Sequence, residues 1–338
     1  VTEIRSTAKT TVSVVIVNWN GAEILRPCLD SLRKQSRLPD QVVVVDNGST
    51  DDSVRLIATA YPDVELVRLA TNTGFAGGAN AGIRASTGEL VALLNNDVET
   101  ESDWLEALVC RMDELPSEVG FLAPKILDAA GTSIDSVGDF LDAGGIAQQR
   151  GYGTPDDGRW DSRTSITSAC AAASLYRRAM FDDVGLLDER FFAYLEDVDL
   201  CLRGVLRGWR GEYVPNARVR HAASLTSSKV SGFKRYHSIR NAYYLLVKTM
   251  PRRLLLYVLP RFILSQFGRT VGALFDGELG AALRAHRDAV RTLAPMRAER
   301  RRIMAGATCT PKEFRTHLQP TRLVQRTRTF VLRRWRAS

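Results

Sequence analysis

The chain has 338 residues, of which 45% are hydrophobic, 25% charged and 8% aromatic. That composition excludes a disordered chain, a collagen-like repeat and a small disulfide scaffold, and the length predicts one large domain or two smaller ones. The net charge of +8 divides unevenly: residues 241–338 hold 20 Lys and Arg against 5 Asp and Glu, and residues 1–240 hold 26 against 33. An acidic body carrying a basic end points to a polyanionic partner, either nucleic acid or an anionic membrane surface.

Residues 1–11 are short and polar, so no secretory leader is expected. Residues 12–17 form a β-branched run that reads as a buried strand, followed by a helix over 22–35 with Ile24, Leu25, Leu29 and Leu32 on one face. A second buried strand, 42–45, runs into Asp46, Asn47 and Gly48. A helix over 53–60, a strand over 64–69, a helix over 78–86 and a strand over 90–94 follow, and the last ends in Asn95, Asn96 and Asp97. Alternation of helices with continuous apolar strands predicts an α/β domain on a mostly parallel sheet, with ligands at the carboxyl ends of the strands.

Residues 131–164 are rich in Gly, Asp and Arg and read as a surface excursion with short strands. Strand and helix signals resume at 169–176, and helical periodicity with many arginines dominates from Phe233 onward. The apolar stretch 254–275 is interrupted by Pro260, Arg261 and Arg269, so no transmembrane helix is expected. Five cysteines without C-x-x-C spacing are expected to be buried thiols in a reducing compartment.

Three polar clusters can carry chemistry. Asp46 at a strand end can accept a hydrogen bond from a base or ribose, or can shape an Asn-Gly turn. Asn96 and Asp97 can help hold a hard cation on a diphosphate, or Asp97 can cap a helix over 103–112. Glu196, Asp197 and Asp199 crowd three carboxylates into four residues. Mutual repulsion raises proton affinity, which suits a general base, although acidic residues also favour a helix N-terminus. Glu196 and Asp199 are expected on one helix face, with Asp197 pointing elsewhere. His221 ends a strand-like run, and its spacing alone would not make it a ligand.

The order of these stretches resembles the family 2 nucleotide-sugar glycosyltransferases of the GT-A fold, most closely their rhamnosyltransferase branch. It is carried by VSVVIVNWNG, VVVVDNGSTDDS, NTGFAGGANAGI, LLNNDVE, LDERFFAYLEDVDLCLR, RGWR and VRH followed by Ser224, over residues 12–240. The resemblance implies that Val17 and Trp19 contact the base and that Asp46 reads the pyrimidine N3–H. Asn72, Gly74 and Asn80 would belong to the loop over the nucleotide. It implies Asn96 and Asp97 at a DxD-type site, with Asp97 and His221 as ligands of Mn2+ or Mg2+, and Glu196 and Asp197 as an ED motif whose Asp is the base. Two departures are the amides of NND, which lower the site's negative charge, and Ala171 where the family often has Gly.

The implied activity is inverting transfer of a sugar, rhamnose from dTDP-rhamnose first and galactofuranose or another UDP-sugar next, to a glycan or polyprenyl-linked glycan. A nucleotidyltransferase is the nearest other enzyme, but VNWNGAEIL lacks a phosphate-cradling Gly/Lys loop. A non-catalytic nucleotide-sugar-binding protein is the reading from a different class. The chain is expected to divide into a catalytic domain, 1–232, and a basic helical region, 233–338, that contacts a membrane or a second protomer in a homo-oligomer. Nucleic acid is not expected as a partner, because no binding motif accompanies the charge. The expected location is cytoplasmic, peripheral on the inner face of the plasma membrane.

Overall fold

The computed structural model describes residues 9–222 and 230–320. Its first half alternates β1 (Val12–Asn18), α1 (Ala22–Leu32), β2 (Gln41–Asp46), α2 (Ser53–Ala60), β3 (Glu65–Arg68), α3 (Gly74–Ala85) and β4 (Leu90–Asn95). Strands β3, β2, β1 and β4 lie side by side and parallel, with Asn18 opposite Asp46 and Val17 opposite Asn95. Parallel pairing in this register brings three polar strand ends to one edge, as the apolar runs predict.

Both sheet faces are covered, which is why the strands are apolar throughout. On one face Val14 and Ile16 meet Leu25 and Leu29 of α1; on the other Val15, Val43 and Val45 meet Ala76, Ala79 and Ile83 of α3. Helix α3 starts four residues before the expected position. A Cβ at Gly82 would stand 2.3 Å from Val15 Cγ1, so the helix lies against the sheet only because side chains are missing there.

A turn at Asn96 and Asp97 leads into β5 (Val98–Thr100), then α4 (Trp104–Glu114) and the long β6 (Val119–Asp128). The excursion contains β7 (Ile134–Ser136), β8 (Asp139–Asp142), β9 (Ala147–Gln149) and β10 (Thr164–Ile166). The chain continues through β11 (Leu175–Arg177), α5 (Arg178–Val184), α6 (Glu196–Leu206) and β12 (Arg210–His221). The main sheet runs β10-β12-β6-β11-β4-β1-β2-β3, with β5 on β12 and β7 on β6. Strand β12 shifts register between Val214 and Arg218, where Pro215 has no N–H to give.

Five helices follow: α7 (Phe233–Thr249), α8 (Arg252–Phe275), α9 (Leu279–Arg291), α10 (Leu293–Ala305) and α11 (Pro311–Thr316). The short β13 (Leu318–Gln319) pairs with β8, which also pairs with β9, in a second small sheet. Helix α8 continues through Pro260 as one element, and among the described residues no helix is long and apolar enough to cross a membrane. Helix α7 shares a core with α6: Val198 and Leu202 pack with Leu245 and Leu246. All five cysteines are free; Cys28 and Cys201 are buried and Cys170 and Cys309 half-buried, but Cys110 on α4 is exposed. Ser224 and the arginines of residues 322–336 lie outside the described residues.

Candidate active site

The ends of β1, β2 and β4 form the floor of the site. Asp46 is buried, and its Oδ2 accepts from the Ser49 N–H at 3.3 Å, but its Oδ1 has no hydrogen-bond partner. A buried carboxylate oxygen without a donor is costly, so this atom fits a site where a ligand supplies the N–H. Asn47 fixes the neighbouring loop. Its Oδ1 accepts from the Thr73 N–H at 2.9 Å and its Nδ2 donates to the Gly74 carbonyl at 2.9 Å.

Asn72 Oδ1 accepts from the Gly74 N–H at 2.8 Å. Gly74 has φ +76°, and a Cβ there would stand 2.3 Å from the Phe192 carbonyl oxygen. That glycine therefore lets the 72–74 loop touch the loop leading into α6. Val17 and Trp19 are half-buried at and beyond the end of β1, and Gly78 leaves room for Val17. Asn80 lies buried on α3. Its amide donates to the Leu187 carbonyl and Glu189 and accepts from the Leu187 N–H, bracing α3 against residues 187–189.

Asp97 sits in the turn between β4 and β5 and not at a helix N-terminus, so it caps nothing. Strand β12 pairs antiparallel with β5 and places His221 opposite Val98. His221 Nε2 thereby lies 3.2 Å from Asp97 Oδ1, and its Nδ1 lies 2.8 Å from Asp135 Oδ2. Burial opposes the imidazolium, but hydrogen bonds and charge from Asp135 and Asp97 outweigh it and push His221 up to about 9. Asn96 donates to Asn18 Oδ1 at 2.8 Å and so shapes the turn.

Among the described residues no group of three or more His, Cys, Asp or Glu side chains is arranged to hold a metal ion. One carboxylate and one imidazole face each other, and a carboxylate fixes the ring's far nitrogen. That set fits a divalent cation of borderline hardness if a diphosphate completes its oxygen shell. Asp135 had no signal in the sequence: it lies in the aperiodic excursion and reaches His221 only because β7 pairs with β6 and β6 with β12.

Asp197 stands in the first turn of α6. Its Oδ2 accepts from the Ala171 N–H at 2.9 Å and its Oδ1 from the Val198 N–H at 2.8 Å. Burial raises its pKa, and these backbone donors only partly offset that. Burial and the adjoining Asp197 charge push Glu196 well above the usual carboxylate range, and Glu196 Oε2 is buried without a partner. Asp139 on β8 is raised as well, first by burial and then by the charge of Asp197. Asp199, expected on the same helix face as Glu196, is buried against Arg203 and Lys248.

The loop before α6 is held in a conformation that L-residues disfavour. Phe192, Tyr194 and Leu195 have φ of 66°, 70° and 72°. Such residues cost about 1–3 kcal/mol each and persist only when their surroundings enforce them. The enforcement comes from α7. Asn241 Nδ2 donates to the carbonyls of Phe191, Ala193 and Tyr194 at 2.9, 2.9 and 2.7 Å, and Arg240 also reaches the Phe191 carbonyl at 2.8 Å. The His237 ring stacks on Phe192 with centroids 5.4 Å apart. Further along α7, Lys248 is buried between Asp188 at 2.5 Å and Asp199 at 2.8 Å, and Arg203 joins Asp199 at 2.9 Å. None of these α7 residues stood out in the sequence.

The family model "Glycosyl transferase family 2" matches residues 13–185. The chain is 31% identical over 232 residues, 62% of its length, to the N-acetylglucosaminyl-diphospho-decaprenol L-rhamnosyltransferase of Mycobacterium tuberculosis, covering 75% of that protein. It is 26% identical over 246 residues to the dTDP-rhamnosyl transferase RfbF of Shigella flexneri, covering 69% of this chain and 79% of that one. Among solved structures, the mannosyltransferase PcManGT of Pyrobaculum calidifontis, in complex with GDP-Man and Mn2+, superposes with a TM-score of 0.52 at 16% identity over 89% of this chain and 86% of that one. The architecture is thus the GT-A type of α/β fold.

Proposed function

The chain belongs to glycosyl transferase family 2 and is a glycosyltransferase that uses a nucleotide-sugar donor, and from that premise we propose that it transfers rhamnose from dTDP-rhamnose, with inversion, to a hydroxyl of a glycan or polyprenyl-linked glycan. The observation that carries the mechanism is Asp197. Its carboxylate is oriented by two backbone N–H groups, and its proton affinity is raised by burial. A base tuned upward toward working pH is better suited to take a proton than one left at the ordinary aspartate value.

Asp197 takes the proton of the acceptor hydroxyl as that oxygen bonds to the anomeric carbon on the face opposite the diphosphate. The bond from that carbon to the diphosphate oxygen breaks, and its electron pair leaves with the nucleoside diphosphate. No covalent enzyme intermediate is involved. Asp46 Oδ1 accepts from the pyrimidine N3–H, Asn47 holds the 72–74 loop over the nucleotide, and Asp97 and His221 would hold a divalent cation. When bound there, a cation neutralises charge on the departing diphosphate.

The rhamnosyl donor is supported by the two relatives whose names specify that sugar. A lipid-linked acceptor would bring the protein to a membrane surface, in keeping with its basic end. The test is a thermal-shift screen of dTDP-rhamnose, UDP-galactofuranose and other nucleotide sugars with Mn2+, because a ligand that binds only the folded state raises its stability. Stabilisation and transfer with dTDP-rhamnose support the assignment; stabilisation and transfer confined to a UDP-sugar overturn the sugar.

A further inference from the structure

Helix α8 is apolar on two sides. At about 1.5 Å per residue its 24 residues extend about 36 Å. One side, with Leu254, Val258, Phe262 and Ala273, is buried, and Phe262 meets the Tyr243 ring of α7 edge-on at 5.0 Å. The side turned away from that core carries Leu256, Leu259, Ile263, Phe267 and Leu274 at helical spacing, with exposures from 43% to 87%. Nine of the fourteen large apolar side chains that are exposed among the described residues belong to this one helix. A soluble surface scatters such residues singly and rarely gathers them into one long stripe.

The charges on α8 are of one sign. It carries Arg252, Arg253, Arg261 and Arg269 and no Asp or Glu. Arg252 and Arg253 are exposed at its N-terminal end, and Arg261 is exposed with its guanidinium 4.3 Å above the Tyr257 ring. Two copies of the chain meeting through this stripe would bring their arginines together without a carboxylate on the helix to offset them. Nucleic acid would answer the arginines but not the leucines. A surface that is anionic outside and apolar beneath answers both.

We propose that α8 lies in the plane of an anionic lipid bilayer, its exposed leucine, isoleucine and phenylalanine side chains in the acyl boundary and its arginines among the headgroups. A helix with this layout binds by apolar area plus attraction to anionic lipid and does not span. The buried side of α8 fixes it to α7, and α7 clamps the loop that presents Asp197. The membrane-facing helix is therefore one element away from the acceptor side of the site. The inference does not depend on which sugar is moved or which acceptor receives it.

The test is co-sedimentation of the full chain with vesicles of phosphatidylcholine alone and of phosphatidylcholine with phosphatidylglycerol. The protein should sediment with the anionic vesicles and much less with the neutral ones. The triple variant Leu256→Asp, Ile263→Asp, Phe267→Asp should partition on the order of tenfold less or weaker. Arg252→Glu with Arg253→Glu should also release it. All five side chains are exposed, so melting temperature and stabilisation by nucleotide sugar should match the parent and show that each variant is folded. Equal binding to both vesicle types, binding that survives the triple substitution, or a self-associated species dissolved by these variants with no vesicle binding would each overturn the proposal.

Discussion

The side-chain amide of Asn241 reaches the carbonyl of Tyr194 at 2.7 Å, two residues before Glu196. Two amide hydrogens there serve three carbonyls of a loop whose backbone is strained at three positions. The basic helical region thus reaches the proposed site, because its first helix holds the loop that precedes Asp197.

Replacing Asn241 tests that link. Asn241→Leu leaves the Ala193 and Tyr194 carbonyls without that donor, while the Phe191 carbonyl keeps Arg240, at a cost of about 1–3 kcal/mol. The expected outcome is a lower melting temperature and a fall in kcat with donor binding retained, because the loop that loses its clamp presents the base and not the nucleotide. The readouts are thermal unfolding and steady-state kinetics; unchanged kcat would show that the clamp is dispensable.

Lys248 is expected to be more sensitive still. Lys248→Met removes the buried cation shared by Asp188 and Asp199, and breaking a buried pair in this way typically costs about 3–5 kcal/mol. Denaturant titration measures the loss. For the same reason a chain cut after residue 232 should fail to fold into an active enzyme, since Val198 and Leu202 of α6 lose Leu245 and Leu246.

The pH dependence has two parts of known sign. Burial raises the pKa of Asp197, so activity should fall as pH drops through a value above the ordinary aspartate pKa of about 3.9. Burial alone would also raise Asp188, but Arg190 and Lys248 outweigh it and hold that carboxyl well below its usual range. Its contribution to stability is therefore present above the unfolded value of about 3.9 and is lost as pH falls below that toward its folded value. A kcat/KM profile and a stability profile on the same buffers should show the activity limb at the higher pH.

The cation site makes a graded prediction. Asp97→Ala and His221→Ala remove the proposed ligands and should abolish Mn2+-dependent stabilisation by the nucleoside diphosphate. Asp135→Asn keeps both ligands but weakens the hold on the ring, and loss of such a partner typically costs about 10–100-fold in metal affinity. Calorimetric titration of Mn2+ with the diphosphate present measures all three; equal affinity in Asp135→Asn would remove its positioning role.

Much of this arrangement was legible from the chain alone. The runs at 12–17, 42–45 and 90–94 are apolar at every position, as strands covered on both faces must be, and polar residues end each one. The strand-end places of Asp46, Asn96 and Asp97 follow from that pattern, and the roles proposed for them and for Asp197 from the family's motif order. Asp135 was not legible, because only the pairing of β7, β6 and β12 carries it to His221. Asn241 and Lys248 look like ordinary helix residues until tertiary packing supplies their partners. The length of α8 was obscured by Pro260, which a helix exposed along one side tolerates.

If Asp197 is the base, a single isosteric substitution should silence the enzyme. Asp197→Asn retains the side chain's size but cannot take the acceptor's proton. Transfer should fall about 10²–10⁴-fold, with binding of nucleotide sugar and Mn2+ as in the parent enzyme. Transfer at the parental rate by a folded Asp197→Asn enzyme would remove Asp197 from the role of base.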